Sequence, residues 1–247
     1  TTNWKPLRVL TRIGTSPACG HMKIPTMKKL LLLSASFCVI AGSASAVILA
    51  EYTFDADSYG PSTTATGIEG SNVTGGSGLS TSPVLSGTGN PAKSIAPQGL
   101  SSTSEADAVA ANDYIELKIT ADSGYTLSFT SLDIDLQRSN DQSATNWFIR
   151  SSLDSYASTI DSITSIATSP SAFASYTIDL SDAAYQNLSG EVTFRLYGYG
   201  AVGENPSLRQ DNITFNGSAA IPEPSSTATL FLGAAAVTAL LRRKARS

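Results

Sequence analysis

Cysteine and histidine are missing from the central part of this 247-residue chain. Cys19, Cys38 and His21 all precede residue 47, so residues 47–221 contain neither type. Without an imidazole or a thiol, this stretch can build neither a Ser-His-Asp nor a Cys-His nucleophilic centre, nor a typical zinc site. Disulfides are excluded as well. Stability must therefore come from a hydrophobic core, which a stretch of this length can supply.

Basic residues are also scarce. Residues 47–221 hold 19 acidic side chains and only six basic ones, which gives a formal charge of −13. The six basic residues are Lys93, Lys118, Arg138, Arg150, Arg195 and Arg209. Binding to nucleic acid requires clusters of Lys and Arg that contact phosphates. We therefore predict that nucleic acid is not a partner of this protein.

The same stretch lacks a convincing helical period and internal repeats, which argues against solenoids and propellers. Instead, apolar and polar residues alternate in short segments between Gly, Ser, Asn and Asp, as in packed antiparallel sheets. These segments are residues 48–54, 115–119, 125–129, 132–136, 147–150, 176–180, 192–196 and 213–215. We predict an all-β fold, a jelly-roll-like antiparallel β-sandwich, in which the first strand, near 48–54, lies beside the last, near 209–216.

A second compositional feature is the stretch at residues 58–104, which is rich in Ser, Thr, Gly and Pro and has few large apolar residues. Such a composition favours loops because it supplies turn residues but little side-chain area to bury. We expect long loops there, with one or two short strands.

Residues 27–46 have the three parts of a secretory signal peptide. Met27-Lys28-Lys29 is a positive start, residues 30–40 are apolar, and Ala44-Ser45-Ala46 is a small-residue cleavage site. We predict an N-terminal signal helix that signal peptidase removes after Ala46, which leaves an exported domain at residues 47–220. Residues 1–26 are interpreted as an upstream extension that is not part of the native structure.

The C-terminal residues 221–247 combine Pro222-Glu223-Pro224, an apolar run and Arg242-Arg243. The uncharged stretch would span about 25 Å as a helix, close to the ~30 Å hydrocarbon core of a bilayer. The cationic end would remain on the cytoplasmic side. We predict a transmembrane helix at residues 226–241.

This order of parts resembles the PEP-CTERM sorting signal of Gram-negative bacteria that make extracellular polysaccharide. The resemblance implies that an exosortase recognises the tail through Pro222, Glu223, Pro224, Arg242 and Arg243. It also implies transient or stable residence in the inner membrane, followed by delivery to the cell surface or extracellular matrix. An ordinary C-terminal anchor helix is the alternative. A second resemblance is carried by Arg138-Ser139-Asn140, Asn146-Trp147, residues 150–154, residues 193–198 and Asp211-Asn212-Ile213. Through these motifs, residues 113–217 are similar to the jelly-roll domain of many PEP-CTERM proteins, which supports the fold class.

Four acidic residues form a hypothetical calcium site. Asp55 and Asp57 follow the first predicted strand, Glu51 lies within it, and Asp211 lies in the last. Calcium is bound by carboxylate and carbonyl oxygens. A structural calcium often joins an early and a late strand in jelly rolls, so these four side chains could supply its ligands. The alternative is that they are solvated turn carboxylates.

Trp147, Arg138 and Arg150 form a second hypothetical site. An aromatic face can stack on a sugar ring while guanidinium groups reach its hydroxyls, so these residues could contact extracellular polysaccharide. The alternative is that Trp147, the only Trp in residues 47–221, belongs to the core.

No catalytic residues are assigned. Asp133 and Asp135 share one strand face, but exposed carboxylates in a strand usually serve to block edge pairing. The sequence therefore predicts a non-enzyme: an exported, exosortase-sorted protein of the cell envelope or extracellular matrix with a structural or adhesive role. The first alternative is a carbohydrate-binding module for exopolysaccharide, and a more distant one is a glycan-cleaving enzyme.

Overall fold

Most of the alternating segments form strands in the computed structural model, which describes residues 47–81, 83–167, 172–203 and 205–222. These residues all belong to one unit of the chain, Ser43–Ser247. The strands in chain order are β1 (Val47–Tyr52), β2 (Thr63–Thr64), β3 (Ile68–Gly70), β4 (Thr74–Gly75), β5 (Val84–Ser86), β6 (Ser94–Ala96), β7 (Tyr114–Ala121), β8 (Thr126–Arg138), β9 (Asn146–Ser151), β10 (Asp161–Ile163), β11 (Ala174–Asp179), β12 (Glu191–Tyr199) and β13 (Leu208–Ala220). One α-helix, α1 (Glu105–Ala111), and 3-10 turns at Ser152–Asp154 and Ala183–Tyr185 complete the described elements.

The strands form two antiparallel sheets. The first sheet has the order β11-β8-β13-β1-β2, with β6 paired to β13 and β5 paired to β6. The second has the order β10-β9-β12-β7-β3, with β4 also paired to β7. Consecutive long strands alternate between the sheets, from β7 to β8 to β9 and from β11 to β12 to β13. The predicted β-sandwich is confirmed, and its assignment to the jelly-roll class stays a prediction.

The first and last strands are neighbours, as predicted. β1 pairs with β13 in a register that sets Val47 opposite Gly217 and Tyr52 opposite Ile213. Residues 58–104 contain five short strands, β2 to β6, which is more than the one or two expected. Each has only two or three residues, so none is long enough to show a clear alternation in the sequence.

β8 merges two predicted segments into one strand of 13 residues. Its buried side chains change phase, from Leu127 and Phe129 to Leu132 and Ile134. The register with β13 shifts at the same place, so that β8 has one extra residue near Thr130. Such a bulge moves the alternation by one position, and all four side chains therefore face the same core.

Phenylalanine rings join the sheets at the centre of the core. Phe129 and Phe215 come from the first sheet and Phe194 from the second, and all three are buried. Their ring centroids lie 4.9 to 5.9 Å apart, in tilted and edge-to-face pairs. Aromatic pairs of this kind add about 0.5–1.5 kcal/mol each beyond the area that they bury.

Helix α1 was not predicted. Ser104 caps it by accepting a hydrogen bond from the Asp107 backbone N–H, and Asn112 ends it in the left-handed conformation. The helix packs on the outer face of the second sheet, where Ala108 joins the buried rings of Phe148 and Tyr197. A helix of seven residues has too few turns to show a period in the sequence.

The two ends of β13 lie at opposite ends of the sandwich. Leu208, at its start, pairs with Arg138, and Ala220, at its end, pairs with Thr126. A strand of 13 residues spans about 40 Å at ~3.3 Å per residue. Because Val47 pairs with Gly217 near the end of β13, the described chain begins and ends at the same end of the sandwich.

No helix within the described ranges is long and apolar enough to cross a membrane. The predicted signal helix at residues 27–46 and the predicted transmembrane helix at residues 226–241 both lie outside the described residues.

Candidate functional site

A polar cleft opens at the end of the sandwich where β8 ends and β13 begins. Its volume is about 420 Å³, within the range of roughly 300–1,000 Å³ that is usual for small-molecule sites. We call it the end cleft. It is lined by Gln98, Ser139, Asn140, Gln142, Val202, Gly203, Asn205, Pro206, Ser207 and Arg209.

Arg138 supports the loop that forms one wall of the end cleft, without lining the cleft itself. It is the last residue of β8 and is buried, and its Nε donates a hydrogen bond to the Ser143 carbonyl at 3.2 Å. Its other nitrogens donate to the carbonyls of Asp141 and Ile166. One planar guanidinium thus satisfies two carbonyls of the connection from β8 to β9 and one carbonyl after β10, which fixes the course of the β8–β9 loop.

Backbone hydrogen bonds tie the two loops of the cleft together. The Val202 N–H donates to the Gln142 carbonyl at 2.7 Å, and the Ser139 N–H donates to the Ser207 carbonyl at 3.0 Å. The Ser207 N–H in turn donates to the Ser139 hydroxyl at 3.0 Å. The cleft is therefore pre-formed, which lowers the entropy lost when a ligand binds.

Several polar side chains in the cleft have no partner within the described part of the chain. The side-chain amides of Gln98, Gln142 and Asn205 make no hydrogen bond there. An amide both donates and accepts, as a sugar hydroxyl does, so the two groups complement each other. Val202, with 69% of its surface exposed, adds an apolar contact of the kind that the C–H face of a sugar ring needs.

Arg209 is the charged residue among the described lining of the cleft. Its Nε donates to the Ser86 hydroxyl at 3.2 Å, and its Nη1 donates to the Gln137 side-chain oxygen at 2.8 Å. Among the described residues, no carboxylate forms an ion pair with it. Burial lowers the pKa of Arg209, because the site is partly shielded from water.

The predicted sugar platform is wrong for Trp147 and Arg138. Trp147 is 0% exposed, and its Nε1 donates to the Gln210 side-chain oxygen at 3.2 Å inside the core. Arg138 is buried behind the loop that it holds. Arg150 is half-buried, and its Nη1 donates to the carbonyls of Tyr156 and Ala157. The three side chains thus do not present a common surface, and the core alternative for Trp147 is the correct one.

Two half-buried tyrosines on the outer side of the second sheet, Tyr114 of β7 and Tyr156 of the connection after β9, do not replace that platform. The Arg195 guanidinium lies 4.3 Å from the ring centre of Tyr114 and 3.8 Å from that of Tyr156. It also pairs with Glu116 at 2.9 Å. One face of each ring is therefore covered by the protein's own cation, a contact that stabilises the outer face of the sheet.

Two buried carboxyls meet where β13 changes its neighbour from β1 to β6. β13 has a bulge after Asp211, with Asn212 in the left-handed conformation at φ 46°. Asp211 accepts hydrogen bonds from the backbone N–H groups of Asn90, at 2.6 Å, and Asn212, at 2.8 Å. Asp135 of β8 accepts the side-chain N–H groups of the same two Asn residues, both at 2.9 Å. The pair fastens the β5–β6 connection onto the sheet.

The pKa values of the two carboxyls of this pair are shifted in opposite directions. Burial raises the pKa of Asp211 to about 7, and the nearby charges of Asp55 and Asp135 act in the same direction. Burial also opposes ionisation of Asp135, but hydrogen bonds from Ser175, Asn212 and Asn90 outweigh it and hold the pKa of Asp135 below its usual value.

The predicted calcium site does not form. Asp55 lies near Asp211 and accepts the Lys93 backbone N–H at 3.1 Å, and Asp57 is paired with the Lys93 ammonium. Glu51 contributes no side-chain contact to this group. Within the described residues, no three Asp, Glu, His or Cys side chains are grouped so that they could hold a metal ion. Hydrogen-bond donors and Lys93 occupy the carboxylates instead, so the turn-carboxylate alternative fits better.

Asp133, Asp135 and Asp211 do not form an accessible catalytic pair either. Asp211 is 0% exposed and Asp135 is 6% exposed, so a substrate cannot reach either carboxyl. Asp133 accepts hydrogen bonds from Thr177, at 2.6 Å, and Asn216, at 2.7 Å. These carboxylates join strands to one another, which is a structural role.

Most of the predicted processing residues cannot be placed. Pro222 is the last described residue of the chain. Ala44, Ala46, Glu223, Pro224, Arg242 and Arg243 lie outside the described residues. The sorting and cleavage sites therefore stay predictions.

No protein-family model and no curated protein sequence matches the chain. Among solved structures, it is similar to a xylan-binding module CBM15, with 11% identity over 71% of this chain and 98% of that chain and a TM-score of 0.42. A non-crystalline cellulose specific carbohydrate-binding module, CBM28, is 13% identical over 70% of this chain and 95% of that chain, with a TM-score of 0.42. The K3 cleaved adhesin domain of Lys-gingipain from Porphyromonas gingivalis is 10% identical over 70% of this chain and 100% of that chain, with a TM-score of 0.38. At TM-scores below 0.5, these likenesses carry no argument about this chain.

Proposed function

We propose that this chain is an exported, non-catalytic β-sandwich protein that binds extracellular polysaccharide in the end cleft. The observation that carries the proposal is the set of side-chain amides at Gln98, Gln142 and Asn205, which have no partner among the described residues and surround a pre-formed cavity of about 420 Å³. Groups that both donate and accept suit a ligand made of hydroxyls. An exposed Val202 beside them suits the apolar face of a sugar ring.

This proposal ranks the carbohydrate-binding alternative above a purely structural role. The amides of Gln142 and Asn205 are exposed, so they hydrogen-bond water in the free protein, and a ligand with hydroxyl groups would replace that water. Adhesion follows directly when the ligand is a matrix polymer. A glycan-cleaving enzyme is not proposed, since Asp135 and Asp211 are buried.

The proposed route to the matrix uses both termini. A signal peptide at residues 27–46 would direct export, and the tail at residues 221–247 would be handled at the inner membrane by an exosortase. The position of the cleft supports this arrangement. The cleft lies at the start of β13 and the tail follows its end, and these two ends are about 40 Å apart. A domain held by its tail would therefore present the cleft away from the membrane.

Glycan binding is tested with the full-length chain in detergent on an array of bacterial exopolysaccharides. We expect binding that falls at least tenfold in Asn205→Ala, because the amide contacts the ligand directly. Asn72→Ala removes an exposed amide outside the cleft and is the matched control. Equal binding by both variants, or no bound polysaccharide at all, would refute the proposal.

Sorting is tested separately by intact mass and cell fractionation of the native protein. We expect a product that begins at Val47 and ends near Pro224, outside the inner membrane. An intact C-terminus retained in the inner membrane would instead indicate an ordinary anchor, and the exosortase proposal would be withdrawn.

A further inference from the structure

Arg209 is an unusual cation in its surroundings. Residues 47–221 carry 19 acidic side chains and six basic ones, yet none of the described residues that line the end cleft is acidic. Glu204 lies outside the described residues. The charge of the described cleft is therefore opposite to that of the domain as a whole.

The guanidinium is held in place without being neutralised. Ser86 and Gln137 accept from Nε and Nη1, and both are uncharged. The N–H groups of Nη2 have no partner among the described residues. By comparison, Arg195 is also half-buried and pairs with the Glu116 carboxylate at 2.9 Å.

Arg209 loses part of its hydration through burial, and its two hydrogen bonds replace only part of that loss, since no counter-charge lies beside it among the described residues. A ligand that carried a carboxylate would supply the missing charge and accept two parallel hydrogen bonds from the planar guanidinium. The amides of Gln98, Gln142 and Asn205 would remain available for ring hydroxyls at the same time.

We propose that the end cleft recognises the carboxylate of an acidic sugar, a uronic acid residue within a polysaccharide, through Arg209. This inference rests on the proposed glycan-binding function and adds the chemical class of the sugar. The domain's charge of −13 does not prevent it at physiological salt, because interactions beyond about 8 Å are largely screened. The contact between guanidinium and carboxylate is short and partly shielded, and it is screened much less.

The experiment compares matched oligosaccharides with and without their carboxylates. Oligomannuronate, oligogalacturonate and oligoglucuronate are each titrated calorimetrically into the full-length chain in detergent, before and after reduction of the carboxyl groups to primary alcohols. Reduction leaves linkage and length unchanged. We expect at least one acidic form to bind about 10- to 100-fold more tightly than its reduced form, the range expected for a hydrogen bond to a charged group.

Variants locate the effect at Arg209. Arg209→Gln is expected to lose this preference and bind the acidic form as weakly as the reduced form, whereas Arg209→Lys keeps the charge and part of the preference. Lys118→Gln makes the same charge change on the second sheet, outside the cleft, and is expected to bind as the wild type does. Unchanged affinity of Arg209→Gln for the reduced form shows that the variant is folded.

The outcomes separate the two proposals. Equal affinity for acidic and reduced forms, or equal losses on both forms in Arg209→Gln, would overturn the uronate inference and leave glycan binding intact. Failure of all three acidic forms to bind, alongside binding of neutral glycans on the array, would overturn the inference in the same way. No binding to any acidic or neutral glycan would overturn both.

Discussion

At the scale of single residues, Asp211 and Asp135 illustrate how neighbours determine the state of a buried acid. Asp135 accepts hydrogen bonds from three side chains and is held ionised. Asp211 accepts two backbone N–H groups but is more completely buried, and its pKa rises to about 7. Protonation of Asp211 near neutral pH removes one of two adjacent negative charges, so it relieves repulsion inside the sandwich.

The pH dependence of stability follows from this shift. Folded Asp211 takes up a proton as the pH falls through about 7, whereas an unfolded Asp does so only near about 4. Between these values the folded state binds more protons, so its free energy of unfolding rises as the pH falls. We expect the protein to be about 2–3 kcal/mol more stable at pH 5 than at pH 8, measured by urea unfolding.

Two substitutions assign that difference to Asp211. Asp211→Asn cannot ionise and is expected to reduce the difference by more than half. Asp161→Asn changes an exposed acid of β10 and should leave it unchanged. Burial also raises the pKa of Asp113, so Asp113 accounts for part of the stability difference that remains in the Asp211→Asn variant. A wild-type protein that is equally stable at both pH values would contradict the argument.

Trp147 provides a second prediction. Trp147→Phe keeps an aromatic ring in the core but removes the donor to Gln210, whose own Nε2 is already buried without a partner. We expect a loss of about 1–3 kcal/mol in the free energy of unfolding. Glycan affinity should stay within twofold of the wild type, because Trp147 is buried in the core and does not line the end cleft. Lost glycan binding at unchanged stability would restore the sugar platform.

Arg138 is expected to act through the loop that it holds. Arg138→Met leaves the carbonyls of Ser143 and Asp141 without their donor, which should lower the free energy of unfolding by about 2–4 kcal/mol. Arg138→Lys keeps the charge but not the planar fork and should lose at least half as much. Both losses are read from urea unfolding. A Met variant as stable as the wild type would show that these hydrogen bonds contribute little.

At the scale of elements, α1 is a helix of only seven residues, so its N-terminal cap is important for its stability. The Ser104 side chain accepts a hydrogen bond from the Asp107 backbone N–H at 3.2 Å, and a helix of seven residues has few internal hydrogen bonds of its own. Ser104→Ala should lower the free energy of unfolding by about 1 kcal/mol, measured by urea unfolding. Ser101→Ala, an exposed serine just before the helix, is the matched control. Equal effects of the two substitutions would argue against the cap.

The strands show what alternation can and cannot predict. The pattern at Leu132 and Ile134 predicted a strand correctly, and so did the pattern at Leu127 and Phe129. Alternation could not reveal that both patterns belong to one strand, because the bulge between them depends on the register with β13. It also could not tell which face is covered, since Tyr197 lies under α1 on the outer face and Trp147 lies in the core.

The candidate site was less predictable than the strands. Gln98, Gln142 and Asn205 are far apart in the sequence and lie in loops whose composition shows no motif. Strand pairing brings Gln142 and Asn205 together, since the end of β8 lies beside the start of β13. Asp55 and Asp211 were correctly grouped, because both lie where β1 and β13 part, but the sequence did not show their hydrogen-bond partners, Lys93 for Asp55 and Asn90 for Asp211.

At the scale of the whole molecule, the formal charge of −13 on residues 47–221 predicts that stability depends on salt. Mutual repulsion of the acids destabilises the folded state, and the screening length falls from about 30 Å at 0.01 M salt to about 8 Å at 0.15 M. We expect the melting temperature to rise over this range. Exposed ion pairs such as Lys118–Glu191 oppose the rise only weakly.

Calorimetry at matched ionic strength distinguishes screening from ion binding. Sodium chloride and tetramethylammonium chloride should raise the melting temperature equally, because screening depends on ionic strength alone. A chelator should leave it unchanged, as no metal-binding group forms among the described residues. A melting temperature that falls with added salt would contradict the prediction.

The length of β13 gives the sandwich a mechanical property. A ligand in the cleft and a tail held in the envelope would pull on β13 from its two ends, along the strand axis. The ladder hydrogen bonds to β8, β1 and β6 lie across that axis, so tension strains them together and does not open them one after another. Detachment under flow is then expected to occur at the sugar, by dissociation of the ligand, before the strand slides out of the sheet.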